Sequence, residues 1–488
     1  TGEIPADSEY RKKSAYARLG NDSGKSWWIE GLRRAADTRD KYYNENNENV
    51  DKEWLEIHRK WMSDEEGKRL YDKSFYNGDS SSISAEIAQA LYGRELVGSV
   101  SRLELFAGCR FAHFLKYGLG LKKRPEFVID YPDVGILFHS VVENFSRKLD
   151  ETHTRWQDTD SAMIEDWVRE ITDKVCDDYG NGIMKDNARN EYIKERVFRI
   201  SSSTVDILAG HMKKGSFEAY GYELSFSRMQ NTDILNIKLN DGNVMHLTGR
   251  IDRLDTYSKD DCVYVKVIDY KSGNKKFDLS DVYYGLDMQL IVYLTAAEST
   301  VKEMNPEKLV IPAGAFYFHI DDPVVTDLGD EEANKKALED TYRMEGPVNS
   351  ISPVPYLIDN TIGDENGVLY TKCSSNVIRV ATTSAGSFDA ARSVLVDNEK
   401  ISYIKKHVSD MMEECGNKIL AGDTSPDPYK QGKTGSCDYC EYKSICGFDA
   451  RLSGNSYRHL EKLNDKQIWE ELKSKYESTV HTTPEDGD

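Results

Sequence analysis

The first 214 residues carry apolar side chains at the three- and four-residue spacing that is typical of amphipathic helices. The capping box Ser101–Glu104 predicts the start of one helix, which should contain Cys109 and end near Gly118. Residues 1–98 have a more polar helical pattern with an Asn/Glu-rich interruption, which predicts a linker or a remnant of an upstream region. Further helices are predicted at about 134–149, 161–178 and 189–214.

From about residue 217 the pattern changes to the alternation of apolar and polar residues that favours strands. A loop-rich stretch at 321–385 follows the last predicted strand, and a long helix at about 387–420 comes after it. The order of helices, a meander of strands, a crossing helix and a further strand predicts an α/β fold with a mixed central sheet flanked by helices. The predicted strands are 217–226, 244–254, 263–270 and 309–320, with a hairpin at 240–243 and the crossing helix at 282–297.

Charge and hydropathy exclude several classes of protein. The 488 residues include 64 Lys and Arg against 84 Asp and Glu, a formal net charge of −20, so the molecule as a whole should repel a polyanion. Any contact with nucleic acid must then be local, for instance at Lys122, Lys123, Arg124, Lys275 and Lys276, unless these are ordinary solvated lysines and arginines. No apolar run approaches the roughly 20 residues that cross a bilayer, which excludes a membrane-spanning protein.

Cysteine usage and the N terminus indicate the compartment. Eight cysteines are too sparse for a disulfide-stapled secreted fold of 488 residues, which favours a reducing compartment such as the cytoplasm. The chain begins at Thr1 without an export signal or an initiator methionine, and we therefore expect a fragment of a longer protein.

The clearest candidate chemistry lies in two apolar segments that each carry an acid. They are Gly249–Arg253, which contains Asp252, and Ile268–Gly273, in which Asp269 and Lys271 should share one face of a strand. If the strands are neighbours, Asp252 and Asp269 can hold a hard divalent cation such as Mg²⁺. A divalent cation and a nearby ammonium group supply what phosphodiester hydrolysis needs: charge neutralisation, an activated water and a stabilised leaving oxygen.

A third metal-ligand candidate is His139, on a predicted helix with Glu143 one turn later. Each candidate also has an ordinary structural interpretation. His139 and Tyr293 could be core residues, and Asp252 could form an ion pair with the neighbouring Arg250 or Arg253. Gln289 and Tyr293 lie one helical turn apart, so they can act together on one face.

In combination these motifs resemble the PD-(D/E)XK nuclease superfamily, in the branch that contains RecB-type exonucleases. The resemblance rests on the order Gly-x-x-x-His, Gly-Arg-Ile-Asp-Arg and Asp-Tyr-Lys-Ser-Gly, followed by a Gln and a Tyr on the next helix. It implies metal binding by His139, Asp252 and Asp269, with Lys271 catalytic. It also implies that Gln289 and Tyr293 line the site and position the DNA or the lysine.

A cysteine cluster, Cys437, Cys440 and Cys446, offers three thiolates, one fewer than a closed metal centre needs. Thiolates alone cannot distinguish zinc from an iron–sulfur cluster. The segment that begins at Cys109 is similar to the upstream cysteine segment of nucleases with a 4Fe-4S cluster, which implies that Cys109 is the fourth ligand. Such a centre would join segments 328 residues apart. Closing this loop would stabilise the folded state by on the order of 5 kcal/mol in a model of chain-closure entropy.

The split cysteine set together with the nuclease motifs most resembles the C-terminal part of the B subunit of AddAB-type helicase–nucleases, over roughly residues 98–450. This resemblance implies a 5′-to-3′ exonuclease that resects double-strand breaks in bacteria, with DNA as substrate and the A subunit as heterodimer partner. It predicts a helical remnant at 1–98, an iron–sulfur nuclease domain at 99–450, and a polar helix with a mobile tail at 451–488. Two alternatives stay open: a stand-alone iron–sulfur nuclease of the CRISPR-adaptation or flap-processing type, and a non-catalytic scaffold that binds DNA ends.

Overall fold

The structure, a computed structural model, forms two compact units within the part of the chain that it describes. One unit comprises described residues of 1–80 together with 443–456, and the other comprises 81–442 together with 457–488. The described residues are 34–35, 38–39, 41–42, 48–63, 65, 68–69, 82–124, 129–185, 187–229, 233–273, 275–323, 329–364, 366–450 and 455–480. Most of the predicted remnant at 1–98 and the end of the predicted mobile tail lie outside these residues.

Among the described residues, the smaller unit contains the helices Lys52–Met62 and Lys443–Cys446, and the larger unit contains the other helices named below. In the described ranges, no helix combines the length and the apolarity needed to cross a bilayer. The helices are α1 Lys52–Met62, α2 Ala85–Tyr92, α3 Val100–Gly108, α4 Arg110–His113, α5 Tyr131–Thr152, α6 Ser161–Asp178, α7 Ala188–Lys214, α8 Leu279–Tyr283, α9 Gln289–Met304, α10 Glu331–Thr341, α11 Val354–Ile358, α12 Asn398–Leu420, α13 Lys443–Cys446 and α14 Asp465–Val480.

The strands form one large mixed sheet and two small sheets. The large sheet has the order β2-β5-β6-β7-β8-β9, in which β6 and β7 are parallel and are joined through α9. The small sheets have the orders β1-β4-β3 and β11-β10-β12. The strands are β1 Glu95–Gly98, β2 Glu218–Ser225, β3 Asn236–Lys238, β4 Val244–Leu247, β5 Arg250–Lys259, β6 Cys262–Lys271, β7 Leu309–His319, β8 Val348–Asn349, β9 Leu395–Val396, β10 Tyr429–Gln431, β11 Thr434–Gly435 and β12 Arg458–His459.

Each face of the large sheet packs on a different set of helices, because successive side chains of a strand point to opposite faces. Val265 and Val267 of β6 pack in one core with residues of α9 and α12. Ile268 and Tyr270 pack in a second core with residues of α5 and α7. The prediction of an α/β fold with a mixed central sheet is confirmed.

The second face also carries a fully buried group of charges. Arg253 and Asp255 of β5 have no exposed surface, and Lys266 of β6 is 4% exposed. Arg253 Nε lies 2.7 Å from Asp255 Oδ1, and Lys266 Nζ lies 3.3 Å from Asp255 Oδ2. The Arg253 guanidinium also lies over the ring of Trp156, 4.6 Å from its centroid. Charges buried this deeply are tolerated because each has an oppositely charged or aromatic partner.

The capping-box prediction is wrong in its position, and the helix is interrupted. Ser99, not Ser101, caps α3, and its side chain accepts a hydrogen bond from the Arg102 amide. Cys109 has an extended backbone (φ −163°, ψ 116°) that separates α3 from α4. The chain then continues through a π-helical turn, Phe114–Gly118, so the predicted end near Gly118 is confirmed. Cys109 therefore lies in a break between two helices rather than inside one.

Three other element boundaries differ from prediction for local reasons. The predicted strand 244–254 is two strands in different sheets, separated where the Thr248 amide donates to Gly98 O. The predicted helix 282–297 is two helices, because Gly285 adopts the left-handed conformation (φ +73°) between them. The predicted helix from about residue 387 begins only at Asn398, where the Asp397 side chain caps it.

Candidate active site

The candidate site lies at one edge of the large sheet, where β5 begins and β6 ends. These strands are antiparallel, with Arg253 opposite Ile268, so the start of one adjoins the end of the other. Asp269 and Lys271 follow Val265 and Val267 on one face, as the alternation predicts. The structure thus brings an acid and a lysine of β6 to the same edge as Asp252.

His139 and Asp252 meet at this edge. His139 Nδ1 lies 3.5 Å from Asp252 Oδ2, and the same oxygen accepts a hydrogen bond from the Tyr270 amide at 2.8 Å. His139 lies on α5, which packs against this part of the sheet. The helix can come this close because of Gly135, where an added Cβ would lie 2.8 Å from Ser272 Oγ. The glycine of the Gly-x-x-x-His motif therefore has a steric role.

Glu223 is a site residue that sequence reasoning missed. It lies on β2 between Tyr222 and Leu224, which pair with Arg253 and Ile251. Its backbone is left-handed (φ +46°), a costly conformation for a non-glycine residue and one that re-aims its side chain. Ligand atoms of His139, Glu223 and Asp252 all lie within 4.8 Å of one another, so these residues could hold a metal ion.

The arginines beside Asp252 pair with other acids. Arg250 Nη1 lies 3.4 Å from Glu223 Oε2, and Arg253 contacts Asp255 within the buried charge group on the opposite face. The side chain close to Asp252 is instead that of His139, whose Nδ1 lies 3.5 Å from Asp252 Oδ2. The alternative in which Asp252 serves an ion pair with Arg250 or Arg253 is therefore wrong.

A hydrogen-bonded network joins Asp269, Lys271 and the start of α9. Lys271 Nζ lies 2.5 Å from Asp269 Oδ2 and donates to Gln289 Oε1 at 2.9 Å. Gln289 Nε2 lies 2.9 Å from Asp269 Oδ1 and 2.7 Å from the Tyr293 hydroxyl. Gln289 thus bridges the acid and the lysine, while Tyr293 both joins the network and packs in the core.

Burial dominates the electrostatics of the site. Burial raises the pKa of Asp252 well above its usual value, and the nearby Asp269 carboxylate raises it further. Burial also raises the pKa of Asp269, although the Lys271 ammonium opposes this increase. Burial lowers the pKa of His139 although the Asp269 carboxylate opposes this decrease, and the lowered pKa keeps the imidazole neutral near pH 7. The neutral imidazole can bind a cation, and a bound cation would favour the ionised form of both acids over the protonated form that burial favours.

The residues fit a divalent cation. Asp252 and Asp269 are buried acids whose negative charges disfavour each other, and a cation between such groups relieves this repulsion. His139, Glu223 and Asp252 add a nitrogen and carboxylate oxygens close together. A hard cation such as Mg²⁺ prefers carboxylate oxygens and water, whereas the imidazole also suits Mn²⁺. The set of three ligands predicted from the sequence, His139, Asp252 and Asp269, stays a prediction.

Away from this edge, the segment around Cys109 is bound tightly to the segment around residues 423–442. The Arg110 guanidinium lies 3.3 Å from Asp423 Oδ2 and 3.1 Å from Asp427 Oδ2, and its amide donates to Asp427 Oδ1. The Phe111 amide donates to Ser425 O, and Arg458 donates to Ala107 O. These contacts hold two distant parts of the sequence together.

Three of the four predicted cluster cysteines lie in this region. Cys109 is buried in a small apolar cluster with Tyr442, against which Cys440 packs. The Cys440 amide donates to Cys437 O at 3.4 Å. An added Cβ on Gly108 would lie 3.9 Å from Ser436 Cβ, which places the residue before Cys437 beside the end of α3. Cys446 ends α13 in the smaller unit, and its assignment stays a prediction.

Two of the predicted basic spots are paired with acids. Lys275 Nζ lies 2.7 Å from Asp287 Oδ1, which is 3% exposed, so this lysine belongs to an internal network. Lys123 is 76% exposed and lies 2.8 Å from Glu441. Lys122 and Arg124 are exposed. Lys276 is also exposed, so Lys123 and Lys275 have acidic partners whereas the other three predicted residues lie on the surface.

The chain is similar to several curated proteins, each named as the B subunit of an ATP-dependent helicase/deoxyribonuclease. It is 37% identical to that of Lachnoclostridium phytofermentans over 476 residues, which cover 96% of this chain and 39% of the relative. The corresponding values are 35% over 432 residues for Alkaliphilus oremlandii, covering 87% and 37%, and 34% over 423 residues for Clostridium acetobutylicum, covering 85% and 36%. The chain thus spans about two-fifths of the length of these relatives.

A model of the PD-(D/E)XK nuclease superfamily matches residues 98–447. The matched residues include the mixed sheet, the two strand ends that carry Asp252, Asp269 and Lys271, and the helix that carries Gln289. The match covers most of the chain and agrees with the geometry at the sheet edge. The chain therefore belongs to the PD-(D/E)XK nuclease superfamily.

Proposed function

We propose that this chain is the nuclease portion of the B subunit of a bacterial helicase–nuclease and that it hydrolyses phosphodiester bonds of DNA as a Mg²⁺-dependent 5′-to-3′ exonuclease. The observation that carries the proposal is the meeting of Asp252, Asp269 and Lys271 at one sheet edge in a chain of a nuclease superfamily. The names of the relatives, which refer to both helicase and deoxyribonuclease, support the wider assignment.

In this proposal Asp252, Asp269, His139 and Glu223 hold the cation. When bound, it neutralises phosphate charge and acidifies a water molecule, which is the usual contribution of a divalent metal to hydrolysis. Lys271 places its ammonium group where negative charge develops on the phosphate, and Gln289 keeps that ammonium in place through its 2.9 Å hydrogen bond. Burial of the site strengthens each of these electrostatic interactions.

We further infer that the cysteine segments hold a 4Fe-4S cluster through Cys109, Cys437, Cys440 and Cys446. The packing of Cys109 and Cys440 in one apolar cluster supports this inference. The cluster would act as a structural link, because the cysteines belong to a region apart from the catalytic edge. Visible absorption and iron content of anaerobically purified protein test it: iron with visible absorbance is expected in wild type and should be lost in Cys440→Ser, whereas stoichiometric zinc would contradict the inference.

The partners follow from the same proposal. A nuclease portion that spans about two-fifths of its relatives would belong to a longer B subunit that works with an A subunit as motor. This machine would process double-strand breaks for recombinational repair in the cytoplasm, where bacterial DNA lies. Co-purification of the full B subunit with the A subunit tests the heterodimer and distinguishes it from a stand-alone nuclease.

Cleavage is tested on 5′-labelled and 3′-labelled linear single-stranded DNA with Mg²⁺. Wild type should release short products, and Asp269→Ala and Lys271→Ala should not. Lys466→Met is the control, because this lysine is 85% exposed on α14. Product release from the 5′ end is expected. A wild type that binds DNA ends without cleaving them under these conditions would favour the non-catalytic scaffold.

A further inference from the structure

The strand ends that carry Asp252, Asp269 and Lys271 form the catalytic edge, and the segment that leads to Cys109 forms part of the cysteine region. The two meet at the first residues of α9. Met288 precedes α9 and its side chain cannot cap the helix, yet Gln289, the next residue, holds both Asp269 and Lys271. The first N–H groups of a helix have no hydrogen-bond partner within the helix, so when they are buried they need another acceptor. Here the acceptor comes from a distant part of the sequence: the Met288 amide donates to Glu104 Oε1 at 2.8 Å.

Glu104 belongs to α3, the helix that ends at Cys109. The Cys109 amide donates to Leu105 O, so the cysteine continues the hydrogen bonding of the same helix, about 7.5 Å along the axis from Glu104. Ala107 of α3 also packs near Gly285, in the loop before α9. The residues from Glu104 to Cys109 therefore form one short rigid element.

The loop before α9 is anchored from a second side. Asp287 Oδ1 lies 2.7 Å from Lys275 Nζ and accepts a hydrogen bond from the Tyr317 hydroxyl at 2.5 Å. Lys271 Nζ and Lys275 Nζ lie 5.3 Å and 5.2 Å from the centroid of the same Tyr317 ring. Asp287 thus ties the loop to the strands of the sheet, while Glu104 ties the next residue to α3.

We infer that Glu104 is a positioning residue that couples the cysteine region to the catalytic edge by capping α9 and so fixing Gln289. The inference rests on the proposed function for its effect on cleavage, but not for the coupling itself. Movement of α3 would release the Met288 amide first and then the Gln289 side chain. Lys271 and Asp269 would lose their shared hydrogen-bonding partner.

Two substitutions at one position separate charge from hydrogen bonding. Glu104→Ala removes the acceptor, whereas Glu104→Gln keeps an oxygen acceptor of the same length. Glu104→Ala should speed hydrogen exchange of the Met288 amide about fivefold, the size of a lost helix cap. It should lower kcat on DNA about tenfold or more and leave KM and iron content unchanged. Glu104→Gln should keep both the exchange rate of the Met288 amide and the kcat close to their wild-type values. Glu307→Ala, at an exposed glutamate, is the matched control.

Coupling is measured by a double-mutant cycle with Cys109→Ser. This substitution should speed exchange of the Met288 amide when Glu104 is present and add little in the Glu104→Ala background. Equal effects in both backgrounds, or an unchanged Met288 amide in Glu104→Ala, would overturn the inference. If wild type does not cleave DNA, the proposed function fails, and the exchange measurements still decide whether Glu104 couples the two regions.

Discussion

Replacing Lys271 with methionine should have opposite effects on catalysis and on metal binding. Methionine has nearly the same length as lysine without its charge, so Lys271→Met removes the ammonium that lies 2.5 Å from Asp269 Oδ2. Loss of one group that stabilises developing charge typically costs about 100- to 1,000-fold in kcat. Metal affinity should rise, because the ammonium competes with a cation for Asp269 and repels it.

The size of that rise follows from the electrostatics of the site. Two unit charges at contact distance interact by about 4 kcal/mol at an effective dielectric of about 20. Solvent and the other ligands screen part of the repulsion between the ammonium and the cation. We therefore expect Mn²⁺ to bind Lys271→Met about tenfold more tightly than wild type, equivalent to about 1.4 kcal/mol. Asp269→Asn should instead lose both metal affinity and activity.

The assay combines titration calorimetry of Mn²⁺ with single-turnover cleavage of labelled DNA, with Lys466→Met as the exposed control. Metal-free Lys271→Met should also lose more stability relative to wild type at pH 8 than at pH 6. The pKa of Asp269 is already raised by burial and would rise further, and stability is lost as pH rises through a raised pKa. Weaker Mn²⁺ binding in Lys271→Met, or kcat within threefold of wild type, would refute this reasoning.

Three further predictions concern other residues. Glu223→Gln should weaken Mn²⁺ binding about tenfold in calorimetry, and an unchanged Kd would remove Glu223 from the ligand set. Burial raises the pKa of Glu104 from 4.5 to about 7, so its contribution to stability is lost as pH rises through that range. Glu104→Gln should then gain up to about 3 kcal/mol relative to wild type in urea unfolding between pH 4.5 and pH 8, whereas a constant difference would contradict this. Arg110→Ala removes the closer arginine partner of the half-buried Asp427 and leaves only Arg458, whose Nε lies 3.7 Å away, so it should cost about 2 kcal/mol in the same unfolding assay; a loss under 0.5 kcal/mol would show that the contact contributes little.

Local patterns predicted most of the elements that build the site. Alternation along β6 was enough to place Asp269 and Lys271 on one face and Tyr270 on the other, because strand geometry leaves no other choice. Apolar spacing predicted α6 and α7 to within a residue, since each buries one continuous stripe. These features depend only on neighbours in the sequence.

Features that depend on tertiary contacts were beyond local patterns. Glu223 reaches the site through a left-handed backbone that no residue in its segment requires by itself. Its one local signal is an acid inside the apolar and aromatic stretch of β2 from Ala219 to Leu224. The long helix α12 was predicted to start too early, because pairing of Leu395 with Val348 takes those residues into the sheet instead.

The position of Glu104 shows the same limit. The sequence motif around it was interpreted as a capping box for its own helix, whereas its carboxylate caps α9, 184 residues later. Helix propensity describes how a residue acts on its own turn and contains no information about a partner so distant. Such a contact becomes visible only when the packing of α3 against the loop before α9 is known.

The buried charges Arg253, Asp255 and Lys266 restrict how β5 and β6 can pair. Asp255 lies opposite Lys266 in the register of β5 and β6. Slippage by one residue would turn charged side chains into the apolar core beside α9, at a cost of several kcal/mol for each unpaired ion. It would also point Asp252 and Asp269 away from each other. A misaligned sheet would therefore be too unstable to persist, and an enzyme of this fold should be either correctly assembled or unfolded, with few inactive but compact molecules.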